Sequence, residues 1–318
     1  MDNGRTKVLY IVGLGRSGST ILSNSLGQIE GFFSAGEICY IWRQNFIENR
    51  LCGCGRPFDE CPVWTEVVAE AFPDGVAALE MMRLQAAGAR TRHIPLMLSE
   101  KGTEIVTHRL GKWRANTGRL YGALQSVTNS RVIVDSSKEP AYGYALSTVP
   151  GVDFRVLHLV RDPRAAAYSW LKKKHQPDSE DREFMHRFSP TKSAALWDTW
   201  NTSAETLWRG GKYLRLHYED FVYEPRKSFG RILDLLDEDA ELPLAGEREV
   251  MLGISHTVSG NPNRFDTGSV ALKPDRAWTK EMNPKDRNLV TALTLPLLYR
   301  YGYPVTPKDP IGRPAARN

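Results

Sequence analysis

Short apolar runs, each followed by a polar turn and then by apolar residues at helical spacing, recur along the chain. "KVLYIV" (7–12) is nearly continuous and rich in β-branched residues, and "ILSNSLGQI" (21–29) follows it. The same order recurs in "RVIVDSSKEPAYGYAL" (131–146) and "FRVLHLVRDPRAAAYSWLKKK" (154–174), while "KYLRLHYEDF" (212–221) adds another strand and turn. Apolar strands that alternate with helices predict a three-layer α/β fold around a central, mostly parallel sheet.

Three stretches fall outside this alternation. Residues 62–129 have a mostly helical pattern, which we interpret as a helical insertion in a single domain spanning 1–318. The tail at 305–318 is rich in proline and charge, so we expect it to be loosely ordered. "EGFFSAGEICYIW" (30–42) fits a buried strand poorly, and no strand is expected there.

Charge and composition limit the classes of ligand that the chain is expected to bind. The chain has 318 residues, 41% hydrophobic and 25% charged, with a net charge of +5. So mild an excess favours an anionic ligand over nucleic acid, whose partners usually carry basic stripes. The one basic run, 172–175, is expected to be a solvated helix end. Apolar runs are far below the ~18 residues of a membrane span, and "MDNGRTK" has no signal-peptide core, so we expect a cytoplasmic protein without a transmembrane segment.

The chemistry begins in "GLGRSGST" (13–20), between the first strand and helix. Gly13 and Gly18 have the spacing of a nucleotide-hydrolysing P-loop, but Ser19 replaces its lysine. The glycines also match a dinucleotide fingerprint, which needs an acidic residue after a second strand. A third interpretation keeps the anion cradle of backbone N–H groups at a helix N-terminus and takes the positive charge from Arg16.

Two segments resemble those of one family. "GLGRSGSTIL" resembles the 5′-phosphosulfate-binding loop of sulfotransferases that use 3′-phosphoadenosine 5′-phosphosulfate (PAPS), and "LHLVRDPRAAAYSW" resembles their 3′-phosphate-binding segment. With the order of elements, the resemblance covers most of the chain from 7 to 301 and implies a P-loop-like fold. With an arginine in place of a lysine, the first loop resembles those of the carbohydrate and tyrosylprotein sulfotransferases and their bacterial relatives more than those of the cytosolic steroid and phenol enzymes. The resemblance implies transfer of a sulfuryl group from PAPS to an acceptor hydroxyl on a small molecule, glycan or peptide.

The resemblance also assigns donor-binding residues. It places the 5′-phosphosulfate on the first loop and the 3′-phosphate on the second segment. "SGNPNRF" (259–265) is a turn by composition alone, and in the related families such a late loop closes over the nucleotide. The candidates are Arg16, Ser17, Gly18, Ser19, Thr20, Arg161, Ser169, Ser259, Asn261 and Arg264.

Catalysis needs a base for the acceptor hydroxyl and positive groups for the leaving phosphate. By resemblance, Glu37 in "SAGEICY" is the base, although an exposed glutamate at a helix start would look the same. Lys138 matches the lysine of a Lys-Asp-Pro element that here reads Lys-Glu-Pro, and Arg16 would share its role. No metal is expected to be required. Of the histidines, His158 fits a core position and His256 lies near the late loop.

Three cysteines, at 52, 54 and 61, raise the question of zinc. Structural zinc sites usually have four ligands, and no fourth cysteine or histidine is close in sequence. We therefore expect buried thiols and no metal site.

Two other functions stay open. An atypical P-loop kinase would need a metal-binding aspartate, for which Asp135 after "RVIV" is the candidate. A nucleotide-binding module without catalysis would leave Glu37 with a structural role only.

Overall fold

Five parallel strands form the central sheet. The computed structural model describes residues 5–178 and 184–306, and in them this sheet has the order β2-β3-β1-β4-β5, with every neighbouring pair parallel. The expected α/β fold around a parallel sheet is confirmed. Its strands are β1 (Thr6–Val12), β2 (Phe32–Gly36), β3 (Val132–Lys138), β4 (Val152–Val160) and β5 (Tyr213–His217).

The edge strand β2 corrects the sequence analysis, which expected no strand in 30–42. Phe32–Gly36 pairs with β3 along one side. An edge strand needs only one ladder, so serine and glycine are tolerated where a central strand would be continuously apolar.

The strand order also bears on the dinucleotide interpretation of the glycines. In a dinucleotide-binding fold the second strand lies beside the first. Here β3 separates β2 from β1. The acidic residue after β2 is therefore not placed as that fold requires.

Helices cover both faces of the sheet, and a small antiparallel sheet lies late in the chain. That sheet contains β6 (Leu244–Gly246), β7 (Glu249–Leu252) and β8 (Gly268–Ala271). The helices up to residue 128 are α1 (Ser19–Leu26), α2 (Ile41–Gln44), α3 (Pro62–Ala71), α4 (Ala78–Gly88), α5 (Ile94–Met97), α6 (Glu100–Arg109) and α7 (Gly111–Thr128). The later helices are α8 (Pro140–Ser147), α9 (Pro163–Leu171), α10 (Pro190–Leu207), α11 (Tyr218–Tyr223), α12 (Pro225–Leu236), α13 (Ala277–Glu281), α14 (Pro284–Leu293) and α15 (Leu295–Arg300). Short 3₁₀ turns occupy Ile38–Tyr40, Phe58–Glu60, Thr91–His93 and Pro262–Phe265.

The central strand β1 divides the core into two layers. Val8, Tyr10 and Val12 pack into one apolar cluster, while Leu9 and Ile11 pack into another. Successive side chains of a strand point to opposite faces, so a continuous apolar run fills both layers. The first layer is completed by buried side chains of the helical stretch 62–128, and the second by those of α1 and α12.

The C-terminal tail and the transmembrane expectation can be compared with the structure. The tail predicted at 305–318 lies outside the described residues except for 305 and 306. In the described part of the chain, no helix combines the length and hydropathy needed to cross a bilayer. That the whole chain is one domain stays a prediction.

Candidate active site

Polar side chains gather at the carboxyl edge of the central sheet. The glycine loop follows β1, Glu37 follows β2, Lys138 ends β3 and Arg161 follows β4. Parallel strands end at a common edge, and ligands of such sheets bind in the crevice there. The structure thus brings the four principal sequence-predicted segments together.

The loop after β1 runs too close to its neighbours for side chains at its glycines. A Cβ on Gly13 would lie 2.3 Å from the carbonyl oxygen of Leu159, and one on Gly18 would lie 2.3 Å from the Tyr218 ring. Gly18 has a φ of 84° and precedes Ser19, the first residue of α1. Ser19 and Thr20 begin α1, and the first N–H groups of a helix have no partner within the helix.

Arg16 and Ser17 leave buried donors at this loop. The Arg16 guanidinium lies over the Trp170 ring at 4.9 Å, and its Nη2 donates to the sulfur of Met185 at 3.2 Å. Burial lowers the pKa of Arg16, and the charge of Glu37 opposes that shift. Within the described residues, the buried Arg16 Nε and Ser17 Oγ have no hydrogen-bond partner.

Arg161 ties the second segment to the first. Its Nη1 donates to the carbonyl oxygen of Arg16 at 2.7 Å, and its Nη2 donates to Asp275 at 3.0 Å. The guanidinium lies over the Tyr218 ring at 4.7 Å, and its buried Nε has no partner among the described residues. Ser169 lies on α9 and is half-buried.

Glu37 and Lys138 form a mostly buried ion pair. Glu37 Oε1 and Lys138 Nζ are 2.6 Å apart, with exposed side-chain fractions of 13% and 11%. Lys138 Nζ also donates to the carbonyl oxygen of Ser136 at 2.8 Å. The backbone N–H of Glu37 donates to the carbonyl oxygen of Val258 at 2.8 Å. This bond connects the end of β2 to residues 256–265, which we call the late segment.

The late segment closes against this pair. A Cβ on Gly260 would lie 3.0 Å from Glu37 Oε1. Ser259, with a φ of 55°, is buried and donates to Asn45 Oδ1 at 3.2 Å. Asn261 caps the 3₁₀ turn at 262–265.

Lys174 is a residue that the sequence analysis missed. It was expected to lie at a solvated helix end. Its Nζ donates to Asn261 Oδ1 at 2.9 Å and to Asn263 Oδ1 at 2.6 Å. Burial lowers the pKa of Lys174, and the charge of Arg16 lowers it further. Two cations thus lie near one another at this site, an arrangement that suits a polyanion.

The protein engages both terminal guanidinium nitrogens of Arg264, while its buried Nε has no partner among the described residues. It donates to the carbonyl oxygens of Thr257 and Leu51, at 2.7 Å and 2.6 Å, and to Asp178 at 2.8 Å. In this structure Arg264 therefore holds the late segment against the chain at residue 51.

The candidate metal ligand of a kinase, Asp135, is fully buried. Its carboxylate accepts hydrogen bonds from Tyr121 Oη at 2.6 Å and from the backbone N–H of Ser137 at 2.8 Å. Burial raises its pKa to about 6. These contacts shape the turn after β3 and weigh against a metal-binding role.

The cysteine loop gains a partner that its sequence neighbourhood lacks. His256 Nδ1 lies 3.2 Å from the sulfur of Cys61 and 3.9 Å from that of Cys52. The three sulfurs of Cys52, Cys54 and Cys61 and a ring nitrogen of His256 all lie within 4.8 Å of one another. We call these four residues the Cys3His cluster.

A parallel sheet flanked by helices, with a glycine loop after its first strand, defines a P-loop-like α/β fold. The model of the Sulfotransferase family matches residues 9–241. The chain belongs to this family, and the resemblance seen in the sequence is confirmed.

Individual relatives agree with that placement. Carbohydrate sulfotransferase 2 of Mus musculus and of Homo sapiens is 28% identical over a stretch that covers 27% of this chain and 23% of the relative. The match thus spans less than a quarter of those proteins. The sulfotransferase domain from the curacin biosynthetic pathway, 15% identical, has a TM-score of 0.56 over 95% of this chain and 99% of that chain, which shows the shared fold.

Proposed function

We propose that this chain transfers a sulfuryl group from PAPS to an acceptor hydroxyl by in-line transfer. Membership of the sulfotransferase family supports sulfuryl transfer in general. The observation that carries the finer proposal is the set of unpartnered buried donors on Arg16, Ser17 and Arg161 beside the Glu37–Lys138 pair. Buried donors without partners are costly unless a ligand satisfies them.

The residues present fit the donor. Arg16, Ser17 and the N–H groups from Gly18 to Thr20 would hold the 5′-phosphosulfate, since the loop glycines leave its backbone open to an anion. Arg161 and Ser169 would hold the 3′-phosphate. Because the donor carries two separate anionic groups, the site needs two arginines, Arg16 and Arg161, at one edge of the sheet. In the late segment, Ser259 and Asn261 would close over the nucleotide, while Arg264 would fix that segment from behind.

Glu37 would act as the general base. As a carboxylate it accepts the proton of the acceptor hydroxyl at one of its oxygens while the hydroxyl oxygen attacks sulfur. Lys138 keeps the carboxylate oriented through its 2.6 Å contact. When bound, PAPS supplies the sulfuryl group and a phosphate leaving group.

Positive side chains would stabilise that leaving group. Arg16 lies in the loop after β1 and Lys138 ends the neighbouring strand β3, and both would offset charge growing on the phosphate. With these two cations in place, we propose that transfer needs no metal ion. The acceptor would be a hydroxyl of a small molecule, glycan or peptide, and the partial match to carbohydrate sulfotransferase 2 makes sugars the first class to assay.

The test is calorimetric titration with the product nucleotide 3′-phosphoadenosine 5′-phosphate. We expect binding without Mg²⁺ and a 10- to 100-fold (roughly) weaker affinity in Arg161→Ala, since a hydrogen bond to a charged group is lost. Arg226→Ala, an exposed arginine on α12, is the matched control and should bind as the unchanged protein does.

Each alternative function has its own result. Binding of ATP only in the presence of Mg²⁺, with none of 3′-phosphoadenosine 5′-phosphate, would favour a kinase. Binding of the nucleotide without turnover of PAPS against a broad panel of hydroxyl acceptors would favour a non-catalytic module.

A further inference from the structure

The Cys3His cluster is built from three separate parts of the chain. Cys52 and Cys54 lie in a tight turn, Cys61 is the residue before α3, and His256 lies between β7 and β8 of the antiparallel sheet. The four cysteines of the chain are free thiols in the structure. A disulfide would use two of the three clustered sulfurs and leave the third and the histidine without a role.

The donor set and spacing match those of a closed zinc site. Structural zinc is held tetrahedrally by cysteine and histidine, with Zn–S of about 2.3 Å and Zn–N of about 2.0 Å, which puts neighbouring ligand atoms roughly 3.5–3.8 Å apart. The sulfur–nitrogen distances of 3.2 Å and 3.9 Å bracket that value. The widest separation allowed, 4.8 Å, exceeds it by about 1 Å, which side-chain rotation can remove.

The surroundings of the sulfurs support metal binding. The indole Nε1 of Trp64, three residues after Cys61, donates to the carbonyl oxygen of His256 at 2.7 Å. Such outer contacts hold the ligands of a metal site in place. The Arg264 guanidinium, bonded to the carbonyl oxygen of Leu51, supplies a positive charge beside a site with three thiolates.

The turn itself is shaped for a close approach. A Cβ on Gly53 would lie 2.5 Å from Ser255 Oγ and 2.7 Å from Thr257 Oγ1, the residues on either side of His256. The backbone N–H of Gly53 donates to the carbonyl oxygen of Thr257 at 2.9 Å. Glycine between the two cysteines therefore lets the turn dock directly on the histidine segment.

We propose that the Cys3His cluster binds one structural zinc ion. Four protein ligands close the coordination sphere, so the metal has no open position for water or substrate. Binding forms three Zn–S bonds and one Zn–N bond, and the three thiols release three protons. The inference does not depend on the donor or the base proposed above.

The position of the site gives the metal a purpose. His256 is followed by Thr257 and Val258, and Val258 exchanges backbone hydrogen bonds with β2 through Ala35 and Glu37. The zinc would therefore fasten the late segment to the cysteine turn and to the start of α3, and so fix the backbone beside the candidate base. A structural metal here acts on position and stability and takes no part in the transfer.

The test is the metal content of the full chain, purified under reducing conditions and supplied with Zn²⁺. We expect about one zinc per chain, and almost none in Cys54→Ser, the least buried of the three cysteines. Cys39→Ser is the matched control, because Cys39 is buried elsewhere and contacts Ser137. It should keep the zinc. A chelator should lower the melting temperature of the unchanged protein and leave that of Cys54→Ser unaffected.

A second measurement covers variants that fail to fold. Co²⁺ taken up by the unchanged protein should give the absorption of tetrahedral cobalt with thiolate charge transfer. Folded, reduced protein that binds neither Zn²⁺ nor Co²⁺ would overturn the proposal. So would a disulfide among these cysteines found by mass analysis, or zinc that stays bound at full stoichiometry in Cys54→Ser and His256→Ala alike.

Discussion

At the residue scale, the candidate base is fixed from two sides. The backbone of Glu37 is bonded to Val258 and its carboxylate to Lys138. Both charges are mostly buried, so each stabilises the other, and removal of one leaves the other poorly compensated. This arrangement fixes the orientation of the Glu37 carboxylate at the sheet edge. A general base needs such a fixed position relative to the proton that it takes.

Glu37→Gln tests this role. Glutamine keeps the shape of the side chain and an oxygen acceptor for Lys138 but cannot take a proton. We expect kcat for sulfuryl transfer to fall by about 10²–10⁴-fold. The affinity for 3′-phosphoadenosine 5′-phosphate, measured by calorimetry, should stay nearly unchanged because the donor-binding groups are retained.

Glu139→Gln provides the comparison. Glu139 lies next to Lys138 in the chain, and its carboxylate accepts a hydrogen bond from Tyr40 Oη at 3.0 Å. Glutamine can accept that bond, so turnover should be retained. Equal loss of turnover in both variants, or full turnover in Glu37→Gln, would show that Glu37 is not the base.

What the sequence could predict at this scale depended on distance along the chain. Arg16 and Arg161 follow apolar strands closely and Lys138 ends one, so a parallel sheet brings them to one edge. Glu37 follows the strand that the pattern missed, and only the resemblance pointed to it. Lys174 reaches Asn261 across 87 positions, and His256 reaches Cys61 across 195. No local pattern reports such contacts, and the fourth donor of the Cys3His cluster was missed for that reason.

At the scale of elements, the late segment depends on a buried charge. Arg264 has 1% of its side chain exposed and pairs with Asp178, which has 3% exposed, at 2.8 Å. Burial lowers the pKa of Arg264 while the charge of Asp178 raises it. The pair therefore links the chain after α9 to the segment that contacts Glu37.

Asp178→Asn should destabilise the protein. The asparagine is close in size but leaves the buried guanidinium without its counter-charge, and two backbone carbonyls still accept from it. We expect the free energy of unfolding to fall by about 1–3 kcal/mol. Urea unfolding followed by circular dichroism measures this change.

Glu80→Gln is the control for that experiment. Glu80 pairs with Lys112 at 2.6 Å, but both side chains are exposed, 43% and 60%. Exposed pairs contribute between 0 and about 1 kcal/mol, so the change should be small. If Asp178→Asn were no more destabilising than Glu80→Gln, the late segment would not depend on its buried pair.

One element that the sequence analysis missed, β2, has a weak strand pattern. It is five residues long and lies at the edge of the central sheet, paired with β3. Its position is set by the neighbouring strand and by Val258, contacts that a local pattern does not contain. The central strands were predictable because burial on both faces demands continuous apolar residues.

At the scale of the whole molecule, one buried carboxyl links stability to pH. Asp135 lies fully buried in the middle of β3, and burial raises its pKa from 3.8 to about 6. Between these two values the folded protein binds a proton at Asp135 that the unfolded chain does not bind. The contribution of this group to stability therefore rises as the pH falls from above 6 toward 4 and is lost as the pH rises through 6.

Asp135→Asn removes that dependence. Asparagine can accept the hydrogen bond from the Ser137 N–H, and the Tyr121 hydroxyl can rotate to accept from the new amide. Between pH 7.5 and pH 5, the unchanged protein should gain about 1–2 kcal/mol of unfolding free energy relative to the variant. All other titrating groups are common to both proteins, so their effects cancel in the difference of two urea-unfolding series. Parallel stability curves across this range would mean that Asp135 stays ionised in the folded protein because the nearby charge of Lys138 outweighs its burial. The end of β3, which carries Lys138, would then be held by an ionic contact as well as by hydrogen bonds.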